Sequence, residues 1–537
     1  MLLAAIALVL LVPLTILGVS YTRWARPGML WFFAIISALT VWALVLLAWF
    51  HLPVEITIPA SEYGHLSNAS LSLLLDKISW PFAAATIALP LAAILTDIAY
   101  LRDLDARVWA STLALGGAGL IAVLAGTPVT LLLAWTVINV SDVFVLLQHV
   151  EDDASRERVV AAFSARIMGM FFLMLAMLQA QAVGDVINFT AIPAQSTGYL
   201  LVAAGLQLGV FPPHQPHLGA PGQRRSLGTV IRLLPSIVSL AFVARIAASE
   251  SSPGTHIPWE TSLLVLTVLA ALYGAWLWYQ ADSALQGRSY WVLSLAAFAL
   301  AAAMQGLAAA SMAWGLAAIF SGGLLFLFGA ENRRWMLVFP ALGAAGFSML
   351  PLTPAWDGSM LFGALAWGYT FVFTVALALL FAGYLRHTRT ATAETELSER
   401  WMWLIYPLGL GVLPLTHFGV VYLYWVQGTR GATFQTAGWW FGVIPLGLAA
   451  LLLVWNNRKD TSAFPVRGAE YLTSVRQSFN LNFIYRFFWN IYRLVGRFVD
   501  LLSRLIEGDG GILWALLLLI FTLVSLGALF SGGSLDL

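Results

Sequence analysis

Apolar stretches of about 20 residues dominate the chain and alternate with short polar segments. A bilayer core about 30 Å thick is crossed by about 20 apolar helical residues, so each stretch predicts one membrane span. The pattern predicts an all-α polytopic membrane protein of about 16 transmembrane helices. The predicted spans are 2–20, 28–50, 79–99, 108–126, 128–149, 159–182, 197–218, 227–248, 261–280, 290–309, 311–330, 335–366, 368–386, 401–427, 436–456 and 511–530.

Charges alternate between the loops that join these spans. Loops after odd-numbered spans carry mostly arginine, such as Arg23 and Arg26, whereas loops after even-numbered spans carry mostly acids, such as Glu55 and Glu62. Arginine and lysine favour cytoplasmic loops, so both termini are predicted on the outer side of a prokaryotic-type inner (cell) membrane. The first span lacks the flanks of a signal peptide and is expected to be retained.

Two of the predicted spans are interrupted by prolines. The stretches are "LQLGVFPPHQPHL" (206–218) and "FSMLPLTPAWDGSM" (347–360). Proline removes a backbone donor and breaks a helix, and broken backbone at membrane depth is tolerated only inside protein or along a wet cavity. Two such spans indicate inverted repeats with functional sites at the breaks. The alternative is a pair of ordinary proline kinks.

A segment of different character, residues 464–506, precedes the last span. Four arginines recur there at helical spacing on one face, and apolar residues occupy the remaining positions. The arginines are Arg486, Arg493, Arg497 and Arg504. This pattern predicts an amphipathic lateral helix in the cytoplasmic interface, acting as a peripheral anchor or as a strap across neighbouring subunits.

Composition narrows the classes of function. Of the 537 residues, 60% are hydrophobic and only 10% charged, the formal net charge is +1, and cysteine is absent. These values exclude thiolate metal sites and give no basis for nucleic-acid binding. The chain also lacks a zinc-finger spacing and a glycine-rich phosphate loop, so no cofactor is expected to bind to it.

Four motifs carry a resemblance to a known family. They are "LSLLLDKISWPF" (71–82), "VLAGTPVTLLLAWTVINVSD" (123–142), "GVFPPHQPHL" (209–218) and "MLPLTPAW" (349–356). They resemble the start of the third helix, the passage from the fourth to the fifth, and the broken seventh and twelfth helices of antiporter-like, proton-conducting membrane subunits. This family is shared by respiratory complex I, Mrp antiporters and membrane-bound hydrogenases, and the chain looks most like the largest such subunit of complex I.

The resemblance implies a division of the chain. Spans 1–3 (1–107) precede two inverted five-helix repeats, spans 4–8 (108–250) and spans 9–13 (261–386), each containing one broken helix. Spans 14 and 15 (401–456), the lateral helix (464–506) and the last span (511–530) follow.

The sequence departs from the family where the family's buried glutamate, lysine and histidine residues move protons or sodium. The corresponding positions here are Thr136, Gln207, Ile231 with Arg232 beside it, the region of Trp314, Ala318 and Gly322, and Met360. The chain has only two lysines, Lys77 and Lys459, and both lie at loops or interfaces. Because arginine does not release its proton, the usual route is predicted to be dismantled.

Some charge remains inside the spans, and two interpretations are open. Intramembrane charge is costly, which makes a functional role the default hypothesis, and a structural Asp–Arg pair is the rival. The candidate ion path comprises Thr136, Asp142, Gln207, His214, His217, Arg232, Asp357 and Met360. Arg166 and Arg245 are candidates for buried charge pairs or for snorkelling to a helix end. No metal site is expected, since His214 and His217 have no third ligand nearby.

The resemblance implies an antiporter-like subunit of a complex I-like or hydrogenase-like ion-translocating assembly. It would conduct by an altered path or serve mainly as a scaffold. Expected partners are other membrane subunits, including further antiporter-like ones, and lipids. Any flavin, iron–sulfur cluster or quinone would belong to partners, so enzymatic activity is expected only of a redox-driven translocase as a whole. The alternatives are the membrane subunit of an inorganic-carbon uptake system, paired with a carbonic-anhydrase-like protein, and a stand-alone secondary transporter.

Overall fold

The computed structural model divides the chain into two compact units, Met1–Val475 and Arg476–Leu537. The residues it describes are 1–22, 26–58, 71–99, 105–148, 150, 153–211, 225–249, 259–329, 334–390, 400–426, 438–459, 490, 493, 494 and 497. In the second unit, the described residues are helical and exposed, and Arg493 donates to Asn490 Oδ1 at 2.7 Å. Arg486, Arg504 and the predicted span 511–530 lie outside the described residues.

The first unit is helical almost throughout its described part. Its helices are α1 (Leu2–Ser20), α2 (Pro27–Leu47), α3 (Ser79–Thr96), α4 (Ala106–Val123), α5 (Pro128–Gln148), α6 (Asp153–Ala182), α7 (Ala194–Leu208), α8 (Arg225–Ala248), α9 (Glu260–Gln280), α10 (Ala284–Met304), α11 (Ala308–Leu327), α12 (Val338–Gly346), α13 (Met360–Ala364), α14 (Trp367–Thr390), α15 (Met402–Val426) and α16 (Trp440–Lys459). Within the described residues, 12 helices are long and apolar enough to cross a membrane. The predicted all-α polytopic membrane fold is confirmed.

Four helices form the buried centre of the first unit. They are α3, α8, α10 and α11, and most of their residues are buried. Around them, α1, α2, α4 and α15 pack near α3, whereas α9 and α14 pack near α10. The spans predicted at 290–309 and 311–330 have other bounds in the structure, Ala284–Met304 for α10 and Ala308–Leu327 for α11. Helix α10 packs against both α9 and α11.

A two-stranded antiparallel hairpin precedes α3, and the sequence pattern did not predict it. Strand β1 (Val54–Ile58) pairs with β2 (Leu71–Leu75), with Val54 opposite Leu75 and Ile58 opposite Leu71. The backbone of β2 also bonds to the α4–α5 link, where Gly126 N–H donates to the Ser72 carbonyl at 2.9 Å. The apolar run of β2 is too short to distinguish from the start of a buried helix by periodicity.

Helix α7 stops partway across the expected bilayer core. Its 15 residues span about 22 Å at 1.5 Å per residue, against a core of about 30 Å. Gly209 adopts φ 75°, and Val210 N–H bonds back to the Gly205 carbonyl at 2.7 Å, as in a left-handed helix end. The helix thus ends at Gly209, before the prolines of the stretch 206–218. Those prolines lie outside the described residues.

The second break separates α12 from α13. A 3₁₀ turn at Trp356–Ser359 leads directly into α13. Two residues other than glycine, Met349 (φ 52°) and Leu352 (φ 67°), adopt the left-handed region in this break. Each such conformation costs on the order of 1–3 kcal/mol, so the surrounding packing must hold it in place. The interrupted helix is thus the fourth element both in α4–α8 and in α9–α14.

Candidate functional site

Polar side chains from four helices meet beside the end of α7, and we call them the first polar centre (Asn139, Asp142, Arg166, Gln207 and Arg232). The Arg166 guanidinium on α6 forms an ion pair with Asp142 Oδ2 on α5. Gln207 Nε2 donates to the Arg166 carbonyl at 3.0 Å, and Asn139 Nδ2 donates to Gln207 Oε1 at 3.4 Å. Arg232 on α8 lies within the electrostatic reach of Asp142 and Arg166.

Three side chains of the first polar centre are buried within the membrane-spanning bundle, whereas the Arg166 side chain is 20% exposed and Arg232 is half-buried. Asn139 is 1% exposed, Asp142 4% and Gln207 8%. Asp142 lies about 9 Å inside the end of α5 at Gln148, and Gln207 lies one residue before α7 ends. The interrupted α7 therefore places an amide side chain beside an ion pair at a depth where water is scarce.

The charges of the first polar centre do not balance among the described residues. It contains two arginines and one carboxylate, and arginine stays protonated in proteins. Arg232 Nη2 and Asp142 Oδ1 are both buried, and neither has a hydrogen-bond partner among the described residues. Each belongs to a charged group, for which loss of solvation is most costly. The centre therefore has one spare donor and one spare acceptor.

Other candidates predicted from the sequence lie away from the first polar centre or outside the described residues. Thr136 is exposed, and its hydroxyl donates to the Leu132 carbonyl of its own helix at 2.8 Å. Met360 is 37% exposed at the start of α13. His214 and His217 lie outside the described residues.

Arg245 belongs to a separate, structural cluster at the hairpin. Its side chain is 2% exposed, pairs with Asp76 Oδ2 at 3.5 Å, and donates to the Leu74 carbonyl at 2.9 Å. Asp76 Oδ1 also accepts from the backbone N–H of Ser79 at 2.8 Å, at the start of α3. The Arg245 side chain thus joins the end of α8 to the end of β2 and the start of α3, and does not extend to solvent.

Two indoles occupy the space at the α11 positions at which the resemblance would place basic residues: Trp314 of α11 itself, and Trp291 of α10, which packs against Ala318 and Gly322. Trp291 Nε1 donates to the Ala318 carbonyl at 2.8 Å. A Cβ at Gly322 would lie 2.3 Å from the same nitrogen, so the glycine leaves room for the indole. Trp314 is itself fully buried, and its Nε1 donates to the Gly358 carbonyl at 3.2 Å, within the second break. The second break is therefore closed by aromatic packing.

Asp357 lies within this second break, away from the elements that carry Asp142. It is 5% exposed and occupies the 3₁₀ turn that packs against α11. Asp142 lies on α5, which packs against α4, α6 and α8. The structure thus gives the two carboxylates separate surroundings.

Sequence reasoning missed two members of these clusters. Asn139 lies three residues before Asp142, on the same helical face, and this spacing could have revealed it. Asp76 was assigned only to a loop, because nothing in the sequence indicates that a residue 169 positions later pairs with it. Within the described ranges, no three histidine or acidic side chains are grouped so that they could hold a metal ion.

We expect Trp314→Phe to reduce thermal stability more than Trp135→Phe. Both indoles are at least 98% buried, so both variants lose similar apolar volume. Of the two, only Trp314 donates to a carbonyl, whereas Trp135 Nε1 has no hydrogen-bond partner in the ranges that the structure describes. A net hydrogen bond contributes about 0.5–1.5 kcal/mol, which predicts a lower unfolding temperature for Trp314→Phe in detergent. Equal losses would contradict the role of this bond.

Comparisons with known proteins bear on the fold. The sequence matches no protein family, and no curated protein matches it. The structure is similar to a chain of the membrane-bound sulfane sulfur reductase, an archaeal respiratory membrane complex, with a TM-score of 0.65 and 16% identity over 96% of this chain and 99% of that one. It is similar to a chain of the Mrp complex from Dietzia sp. DQ12-45-1b, with a TM-score of 0.67 and 16% identity over 98% of this chain. That similarity covers 63% of the Mrp chain.

A third similar structure is respiratory complex I from Thermus thermophilus with bound aureothin, at a TM-score of 0.57 and 16% identity over 77% of this chain and 97% of that one. At 16% identity these likenesses show the fold alone: the chain shares the fold of one chain in each of these three complexes, and the predicted resemblance is confirmed at the level of fold.

Proposed function

We propose that this chain is an antiporter-like membrane subunit of a multi-subunit ion-translocating assembly, moving protons or sodium ions along an altered path. The observation that carries the proposal is the first polar centre, where the Asp142–Arg166 pair contacts Gln207 at the end of a broken helix. Buried charges beside broken backbone are typical of ion pathways. The fold shared with chains of three multi-subunit complexes adds support.

In this proposal Asp142 is the residue that exchanges the ion. One of its carboxylate oxygens binds Arg166, and the other has no hydrogen-bond partner within the described part of the chain. Opening of the pair would let the carboxylate accept a proton or, together with the amide oxygens of Asn139 and Gln207, a sodium ion. Asp357, His214 and His217 remain candidates for connecting steps. If the pair never opens, the chain is mainly a scaffold within its assembly.

The proposed partners are other membrane subunits, including further antiporter-like ones. Flavin, iron–sulfur clusters or quinone would reside in those partners, and the lateral helix would lie against them or the lipid surface. The proposed location is a prokaryotic cell membrane with both termini outside. Native mass spectrometry of the gently solubilised complex tests this assembly. A single carbonic-anhydrase-like companion would instead indicate carbon uptake, and a lone chain a stand-alone transporter.

We expect Asp142→Asn to lower proton or sodium flux by about tenfold or more, since an interaction with a charged group is worth about 1.5–3 kcal/mol. The measurement is dye-reported proton flux and ²²Na⁺ flux in membrane vesicles that contain the whole assembly. Asp185→Asn is the matched control, because Asp185 is exposed and bonds to Gln195 at 3.1 Å. Unchanged flux of both ions in Asp142→Asn would contradict the proposed role of Asp142 in ion exchange and would favour a mainly structural role for the chain.

A further inference from the structure

A buried histidine on α15 lies outside the first polar centre. His417 is 2% exposed, and Trp42 of α2 donates to the hydroxyl of the neighbouring Thr416 at 3.1 Å. Helix α15 packs mainly against α3, α11 and α12. The four helices α2, α3, α11 and α12 contain no acidic, basic or tyrosine side chain. An ionisable residue inside a membrane is costly, so a functional role is the default hypothesis for His417.

Two side chains converge on Gly346, the last residue of α12. A Cβ at Gly346 would lie 2.8 Å from Ser321 Oγ on α11 and 3.1 Å from His417 Nδ1. These two atoms are therefore at most about 6 Å apart, a gap that one water molecule can bridge. Ser321 is 1% exposed, and its Oγ has no hydrogen-bond partner within the described ranges. A buried hydroxyl of this kind favours an ordered water molecule beside it.

The surroundings of the imidazole also suit a positive charge. Gly346 ends α12, and the C-terminal end of a helix carries partial negative charge. Phe320 stacks on the imidazole with ring centroids 4.8 Å apart, and the face of an aromatic ring attracts a cation. Tyr384 of α14 is a second ionisable group here, and its hydroxyl donates to the Ser321 carbonyl at 3.3 Å. These groups together favour an imidazole that gains and loses a proton.

We propose that His417 is a proton-binding residue, linked to the Ser321 hydroxyl by one water molecule at the end of α12. The proton adds to the ring nitrogen that lacks one and converts the neutral imidazole to the imidazolium, and its release restores the neutral ring. The site lies on α11, α12 and α15, whereas Asp142 lies on α5. Its use in transport rests on the proposed function, but proton binding itself does not.

Solid-state NMR of the ¹⁵N-histidine-labelled full-length chain in lipid vesicles tests the proposal without measuring flux. The signal that is missing from His417→Gln identifies this residue among the eight histidines. We expect His417 to gain and lose its proton reversibly within the pH range of about 5 to 8, in which histidine changes charge. Ser321→Ala is expected to weaken proton binding about three- to tenfold, the value of one hydrogen bond. Gly346→Ala is expected to weaken it similarly, because its Cβ takes the place of the bridging water.

Gly411→Ala on α15 is the matched control, because a Cβ there meets a single ring atom at 3.8 Å. It is expected to leave proton binding unchanged. A His417 ring that stays neutral over the whole range overturns the proposal, and so does an unchanged affinity in both Ser321→Ala and Gly346→Ala. Should His417→Gln fail to fold, a titrating signal that responds to Ser321→Ala and not to Gly411→Ala identifies the residue, and absence of such a signal counts against the site. The outcome of the Asp142→Asn flux experiment leaves this measurement unaffected.

Discussion

Replacing Asp76 by asparagine is expected to lower the free energy of unfolding by about 2 kcal/mol, less than the cost of breaking a fully buried ion pair, because the Asp76 side chain is 23% exposed while that of Arg245 is 2% exposed. Asparagine keeps the size of the side chain and a carbonyl oxygen that can still accept from Ser79 N–H. The variant therefore removes the charge while the helix start keeps its acceptor. Arg245, 2% exposed, would then keep a buried charge supported by the Leu74 carbonyl alone.

The measurement for Asp76→Asn is thermal or denaturant unfolding in detergent, with exposed Asp185→Asn as the control, expected within about 0.5 kcal/mol of the wild type. The double variant Asp76→Asn with Arg245→Met distinguishes loss of the Asp76–Arg245 ion pair from any change at the start of α3, where Asp76 accepts from Ser79 N–H. The double variant should regain part of the lost free energy of unfolding, because the buried charge of Arg245 is then no longer present. Additive losses from the two single changes would show that the two side chains do not interact.

The helical frame could be predicted because span length and hydrophobicity depend on local sequence. Windows near 2–20 and 79–99 match α1 and α3 within a few residues, since each apolar run ends where polar residues begin. The hairpin could not be predicted, because β2 is a five-residue apolar strand whose partner begins 17 positions earlier, at Val54. Strand pairing depends on contacts between distant residues, and hydrophobic periodicity reports only near neighbours.

The candidate site was predictable by residue type but not by grouping. Asp142, Arg166, Gln207 and Arg232 were visible as polar residues in apolar surroundings. Their convergence depends on how α5, α6, α7 and α8 pack, which the sequence does not state. Thr136 illustrates the limit. It occupies the motif position that corresponds to an ion-path residue of the family, but its side chain is exposed.

The two breaks differ in chemistry, and this difference constrains any path. At the first break, Gln207 contacts a charged pair and spare polar atoms remain buried. At the second, Trp314 bonds to the freed Gly358 carbonyl, and Phe347 stacks on Phe381 at 4.2 Å. Aromatic side chains leave little room for water, so the Asp357 carboxylate in this break is surrounded mainly by apolar packing. We therefore expect ion exchange to depend on α5–α8 more than on α9–α14.

Gly274→Leu is expected to destabilise the chain by about 3 kcal/mol or more, at the upper end of the cost of overpacking. A Cβ at Gly274 on α9 would lie 2.9 Å from both the Ser294 nitrogen and the Tyr290 carbonyl oxygen on α10. These are backbone atoms, which cannot rotate away as a side chain could. The two helices must therefore separate, and the Ser294 hydroxyl would lose its 2.8 Å bond to the Ala271 carbonyl.

The contact at Gly274 is of the close, small-residue type by which membrane helices associate. Unfolding temperature and the yield of monodisperse protein in detergent are the measurements. Gly274→Ala should show a smaller loss in the same direction, since one methyl group already meets the α10 backbone. The matched control is Gly419→Leu on α15, where an added Cβ meets nothing within 4 Å. Helix α10 is among the most buried helices, so any separation of α9 from it would disturb the core. Equal effects of Gly274→Leu and Gly419→Leu would instead show that helix propensity, and not the α9–α10 contact, determines the response.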